Sequence, residues 1–190
     1  SPLTVIPPKE KEITLIFLGA LAKDKGVEEA LKTFAQINSQ TKEFKFWIVG
    51  KGEEKYTRYL KMKSQELGLR ENIKFWGYVN ENQKYKLLAK AHLLINTSFR
   101  EGWGLVVMEA ASVGTPTVGF NVPGLKDSII DRKTGILSDK DPVKLAAAAL
   151  ELLRDTDKYE TFRKNCFNWA KRFSWKNSVK DSLKLIENLV

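Results

Sequence analysis

Short apolar runs separated by longer stretches of helical periodicity repeat along this chain, and no other feature limits its fold as much. The runs fall at 13–18, 44–49, 73–76, 93–96, 117–120 and 135–137. Each is the length of a buried strand and far short of the ~20 apolar residues that span a membrane. Between them, 27–38, 53–67, 81–91 and 104–113 carry apolar residues at helical spacing, and 141–153, 158–173 and 176–189 read as closing helices. Asn80, three positions before Gln83, is a helix-start signal, as is Asp141 before Pro142. Strands alternating with helices must run parallel, because each connection crosses the sheet, and both faces of such a sheet are covered. The predicted fold is therefore α/β: a Rossmann-like parallel sheet of about six strands with helices on both faces. Residues 1–12, with Pro7-Pro8 and a charged run, read as a linker; 13–172 form the domain, and 173–190 a C-terminal helix.

Composition narrows the function classes without choosing one. A single cysteine, Cys166, rules out an intramolecular disulfide and a cysteine metal cluster, and its aromatic, helical surroundings suit a buried thiol. A net charge of +9 attracts polyanions, so nucleic acid, anionic lipid and nucleotide phosphates are all candidate partners. The lysines are interspersed with glutamates, as in Lys61-Met62-Lys63-Ser64-Gln65-Glu66, the pattern of solvated helix faces. The opening Ser1-Pro2-Leu3-Thr4 has neither an initiator Met nor the features of a signal peptide. A cytoplasmic piece of a longer chain is expected, with an anionic membrane surface as a further peripheral contact.

In a parallel sheet, ligands bind beyond the carboxyl ends of the strands. Those ends carry Gly19-Ala20-Leu21, Gly50-Lys51-Gly52, Gly77-Tyr78 and Thr97-Ser98-Phe99-Arg100-Glu101-Gly102, where glycines permit close backbone approach to a ligand. The most informative stretch is Glu101-Gly102-Trp103-Gly104-Leu105-Val106-Val107-Met108-Glu109. It joins a strand to a helix whose free N–H groups, opened by Gly102 and Gly104, suit a diphosphate or a sugar hydroxyl. Glu109 lies deeper along the helix, where a carboxylate can grip a ribose diol, and Glu101 precedes the helix. Beside phosphates an anionic Glu101 is costly unless hydroxyl groups donate to it, which favours a sugar ligand over bare phosphate.

Two glutamates flanking Gly-Trp-Gly-Leu, followed by Ala-Ser-Val-Gly-Thr-Pro, resemble the E-x7-E signature of family 4 glycosyltransferases. Leu18-Gly19-Ala20-Leu21 with Lys25-Gly26, Val49-Gly50-Lys51-Gly52, Trp76-Gly77-Tyr78, Val122-Pro123-Gly124 and Thr134-Gly135 follow that family's landmarks in order. Thr4-Val5-Ile6-Pro7 resembles the hinge strand between its two domains, and Phe173-Ser174-Trp175 its closing crossover. The resemblance covers nearly the whole chain but only the C-terminal, nucleotide-sugar-binding half of a GT-B architecture. It implies a retaining hexosyltransferase whose acceptor is held by an N-terminal domain of the same chain, so that this stretch alone is inactive. It implies that Lys25 contacts the donor diphosphate and Glu101 the sugar hydroxyls, both in catalytic roles. Gly102, Trp103, Gly104 and Leu105 would supply amides, Gly19 and Ala20 would line the diphosphate loop, Gly77 and Tyr78 would edge the base, and Glu109 would bind ribose. No metal or other cofactor is implied. Ala20 stands where the family carries an arginine, which puts catalytic strength in question.

Other motifs are read as structural. Asp139-Lys140-Asp141 spells D-x-D, but Asp141-Pro142 is a cap opening a helix. Gly50-Lys51-Gly52 lacks the remainder of a P-loop. His92, between a helix and a strand, is read as a structural or surface residue, and Trp47, Trp76, Trp169 and Trp175 as packing residues. The basic, aromatic last third (Arg163, Lys164, Lys171, Arg172, Lys176, Lys180) fits helices with an apolar stripe on the sheet. Two rival functions remain: a non-catalytic nucleotide-sugar-binding or regulatory domain, motivated by Ala20, and a basic nucleic-acid-binding module.

Overall fold

A computed structural model of the chain describes residues 5–173. Its sheet has six parallel strands: β1 (Thr14–Leu18), β2 (Lys45–Val49), β3 (Ile73–Gly77), β4 (Leu93–Asn96), β5 (Thr117–Phe120) and β6 (Gly135–Ser138). Their order is β3-β2-β1-β4-β5-β6, with every neighbouring pair parallel. The helices are α1 (Val27–Gln40), α2 (Glu54–Glu66), α3 (Glu81–Lys90), α4 (Leu105–Ala111), α5 (Leu125–Ser128), α6 (Pro142–Arg154) and α7 (Thr156–Arg172). A 3-10 turn, Lys23–Lys25, leads into α1. Right-handed crossovers place successive helices on one face while strands advance in one direction, and on the other when the order reverses. Accordingly α1 packs with α2 and α6, while α4 packs with α3, α5 and α7.

The predicted fold is the observed one, and the sequence reason is plain. Leu15, Ile16, Phe17, Phe46, Ile48, Leu93, Leu94, Ile95, Val118 and Phe120 are buried, so the strands are apolar on both sides, as a doubly covered sheet requires. Asn80 accepts a hydrogen bond from Gln83 N–H at 2.9 Å and Asp141 one from Val143 N–H at 2.8 Å, so both predicted caps form. Helix α7 buries Tyr159, Phe162, Arg163, Cys166 and Phe167 at helical spacing, with Lys164, Lys171 and Arg172 outside. Cys166 is buried, and burial pushes its thiol up to about 12.

The structure differs from expectation in several places. Helix α4 spans Leu105–Ala111 rather than 104–113. Gly104, at φ +70°, is its cap and not its first turn, while Gly114, at φ +68°, reverses the chain behind it. The short α5 and the 3-10 turn, each under five residues, carry too little periodicity to be read beforehand. The expected helix at 176–189, Ser174, Trp175 and nearly all of the 173–190 segment lie outside the described residues, as does Thr4.

The inbound segment lies against the domain. Ile6 fills the space over Gly114, Arg163 donates to Pro7 O at 2.7 Å, and Lys9 Nζ donates to Ala89 O at 3.0 Å and to Thr115 Oγ1. Burial, with Arg163 nearby, pushes the Lys9 ammonium down to about 7. His92 is structural, as expected: its Nδ1 accepts the Thr14 N–H at 3.1 Å, which leaves the proton on Nε2. Burial, with Lys9 and Arg163 close by, lowers its pKa to about 4.

Between that value and the ordinary one near 6.5, the unfolded chain holds a proton on His92 that the folded chain does not. Stability contributed at this site is therefore complete above pH 6.5 and declines as pH falls towards 4. Melting temperatures measured from pH 7.5 to 4.5 are expected to fall less steeply in His92→Gln, which keeps an acceptor for Thr14. Parallel curves for the two proteins would refute the assignment.

Candidate functional site at the carboxyl edge of the sheet

The strand order reverses between β1 and β4, and the connections leaving these two strands diverge to open a crevice at their carboxyl ends. Two loops wall it, residues 19–26 after β1 and 97–104 after β4, and three contacts stitch them together. Thr97 Oγ1 donates to Gly26 O at 2.7 Å in a buried hydrogen bond, Phe99 N–H donates to Asp24 O at 3.0 Å, and Gly26 packs directly on the Thr97 carbonyl. Gly26 adopts φ +67°, and a Cβ there would collide with Thr97 O.

That stitching brings Lys25 to Glu101, Nζ to Oε2, at 3.3 Å, with side chains 30% and 18% exposed. The two border a cavity of about 60 Å³ whose lining includes Gly19, Asn96 and Ser98. The two predicted catalytic residues, 76 positions apart in sequence, thus share one pocket. A second, larger cavity of about 420 Å³ lies between the ends of β2 and β3 and helix α2, lined by Leu21, Lys51, Thr57, Lys61, Phe75 and Gly77. Lys51 Nζ stands 5.6 Å from the ring centre of the exposed Tyr78, and Lys61 Nζ 5.9 Å from that of Phe75. Ala20 is exposed, between Gly19 of the smaller cavity and Leu21 of the larger.

Glu109 is on α4, four residues beyond its start and so ~6 Å along the helix. It accepts a hydrogen bond from Lys84 Nζ at 2.7 Å. Lys84, on α3, also meets Glu81 at 2.8 Å. Burial works against the Lys84 charge, but hydrogen bonds to Glu109 and Glu81 prevail and its pKa is raised, so it remains an ammonium. The sequence reading missed this lysine. Its i,i+3 relation to Glu81 signals a surface pair, and nothing along the chain marks its approach to α4.

The amides of Gly102, Trp103, Gly104 and Leu105 donate to no acceptor among the described residues, and Leu105 is 70% exposed. Trp103 is half-exposed and packs edge-on against Phe173, ring centres 5.6 Å apart. The segment is backed by Gly124, where a Cβ would collide with the carbonyl oxygen of Glu101. Gly50 and Gly52 both line the larger cavity, and side chains there would also strike the carbonyl oxygens of Gly19 and Leu21, so these glycines let the neighbouring strand ends close together as well. Gly77, at φ +69°, faces open space.

Among the described residues, no group of three or more His, Cys, Asp or Glu side chains is gathered to hold a metal ion. No described helix is long and apolar enough to cross a membrane.

Residues 4–169 match the family model described as glycosyl transferases group 1. The chain is 30% identical over 181 residues to a glycosyltransferase of Methanocaldococcus jannaschii, covering 92% of this chain and 45% of that protein. It is 29% identical over 183 residues to the poly(glycerol-phosphate) alpha-glucosyltransferase of Bacillus subtilis, covering 95% of this chain and 26% of that one. Among solved structures, Anabaena HepE in complex with UDP-glucose matches with a TM-score of 0.81 at 25% identity, covering 94% of this chain and 49% of that one. The chain thus spans half or less of the length of each of these proteins.

Two glycines test the stitching. Gly26→Ala combines a left-handed backbone with a collision against Thr97, whereas Gly68→Ala, at φ +70°, meets nothing within 4 Å. Gly68→Ala is expected to cost ~1 kcal/mol and Gly26→Ala roughly 2–4 kcal/mol. Urea unfolding midpoints check this; equal losses would show that the Gly26–Thr97 contact contributes nothing.

Proposed function

This chain belongs to the glycosyl transferases group 1 family, and from that premise we propose that it binds the nucleoside-diphosphate sugar donor of a retaining, family 4 hexosyltransferase. The observation that carries the reading is the shared pocket of Lys25 and Glu101 at the strand-order reversal, beside a run of undonated amides. A diphosphate needs cations and N–H donors, and a sugar needs acceptors for its hydroxyls; the two groups of this ion pair supply one of each. When the donor enters, Lys25 turns to the diphosphate and stabilises the charge of the leaving nucleotide, while Glu101 accepts hydrogen bonds from the sugar. Glu109, its carboxylate oriented by Lys84 across 2.7 Å, takes the ribose diol. The base lies in the larger cavity, edged by Gly77 and Tyr78. Lysine and backbone amides carry out the charge neutralisation, and no metal is required.

Transfer then needs an acceptor-binding domain to close over this edge, orient the nucleophile and exclude water. We place that domain N-terminal to the strap at 5–12, and propose that the present chain alone is inactive. Its setting in this reading is cytoplasmic, with an anionic membrane surface as a peripheral contact. The second reading, a nucleotide-sugar-binding domain without catalysis, rests on Ala20: this exposed position on the loop that carries Lys25 offers no second cation to the diphosphate.

Calorimetry with UDP and UDP-glucose separates the glutamates. Glu101→Ala removes a sugar contact and releases Lys25, so UDP-glucose should weaken by about 1–3 kcal/mol while UDP binds as well or better. Glu109→Ala should weaken both ligands equally. Equal effects of Glu101→Ala on the two ligands would refute the sugar assignment.

Ala20→Arg should tighten UDP by about 1 kcal/mol, the worth of one exposed charge-assisted contact. Unchanged affinity would place the loop away from the diphosphate.

A further inference from the structure

The small cavity is lined in part by buried polar residues at the end of a strand. Asn96 ends β4 after Leu93-Leu94-Ile95, 5% exposed, and Ser98 follows at 4%. Both line the 60 Å³ cavity bordered by Lys25 and Glu101. The orientation of the Asn96 amide is determined by chemistry: its Oδ1 accepts the Ser98 N–H at 3.1 Å, and only the oxygen can accept. Its Nδ2 is left with no acceptor among the described residues, yet it is not among the sealed, unpartnered polar atoms of the protein. The Ser98 hydroxyl likewise has no partner among the described residues. Nδ2 therefore meets solvent, and a ligand that displaces that water from the cavity must offer an acceptor in its place.

The donor set identifies the visitor. Asn96 Nδ2 offers hydrogens, Glu101 offers only acceptors, and Ser98 offers either. A phosphate oxygen would satisfy Asn96 but would lie against the Glu101 carboxylate. A hydroxyl satisfies both at once, accepting from Nδ2 and donating to Glu101. We propose that Asn96 is a specificity-determining residue for the transferred sugar, reading one of its hydroxyls from beneath while Glu101 reads it from the side. This rests on the donor-sugar reading above. Ser98 completes the floor, either as a second partner or by holding water next to the sugar.

The test pairs a deletion in the protein with a deletion in the ligand. The chain is first titrated with UDP-, GDP- and ADP-glucose to find the nucleotide it binds. Monodeoxy analogues of that nucleotide-glucose are then titrated into the wild type, Asn96→Ala and Asn96→Asp. The Asp variant keeps the acceptor for Ser98 N–H and removes the donor, so it preserves the loop; melting curves confirm folding. In the wild type, one deoxy position is expected to lose about tenfold in affinity. In both variants that penalty should shrink, since only Glu101 still holds the hydroxyl; the parent sugar and its other deoxy forms should weaken, while the affinity for the nucleotide diphosphate stays as it was. Persistence of every deoxy penalty undiminished in the variants, with wild-type binding intact, overturns the role of Asn96 alone. Failure of the wild type to bind any of the three nucleotide sugars overturns the donor reading, and this inference with it.

Discussion

The contact between Gly26 and the Thr97 carbonyl is the constraint on which the site depends. It forces the loop after β1 against the loop after β4, across the point where the strand order reverses. Without a side chain at Gly26 the two backbones meet closely enough for Thr97 Oγ1 to reach Gly26 O and for Phe99 N–H to reach Asp24 O. Lys25 then has little choice of position. It sits one residue before the contact and Glu101 four residues past Thr97, so the ion pair follows from the stitching and does not hold the loops by itself. The pair is partly buried, its side chains 30% and 18% exposed. Its value is positional: it keeps a cation and a carboxylate at one cavity, ready to exchange each other for a ligand.

The second ion pair differs in kind. Lys84 and Glu109 join two helices that both start at the carboxyl edge, and Lys84 is drawn on by Glu81 as well. A ligand need not break this pair, because a carboxylate has two oxygens and Lys84 engages one. The remaining oxygen is oriented by a partner on a rigid helix. Of the two glutamates, Glu101 is therefore the one whose partner must move, and Glu109 the one whose partner prepares it.

Behind the site, the strap at 5–12 is fastened at several points along the far side of α3 and α7: Ile6 over Gly114, Pro7 O to Arg163, and Lys9 to Ala89 and Thr115. Lys9 lies near the last carbonyls of α3, where the helix dipole favours a cation even as burial disfavours it.

Much of this was legible in the sequence, for identifiable reasons. Strand and helix periods, caps such as Asn80 and Asp141, and the apolar strand cores are local properties, and a linear chain displays them directly. Glu101, Gly102, Trp103, Gly104, Leu105 and Glu109 fall within nine consecutive positions, so their arrangement around one strand-to-helix turn could also be read without coordinates. Tertiary structure alone decided the rest. That Gly50 and Gly52 make room for Gly19 and Leu21, and that Lys84 meets Glu109 from another helix, depend on chain segments far apart in sequence, and spacing carries no information about such distances. Asn96 belongs with these, because as the last residue of a strand it carries no mark of function in the sequence. Only the fold, by turning its carbonyl to Ser98 and bringing the residue to the cavity of Lys25 and Glu101, showed what its chemistry could serve.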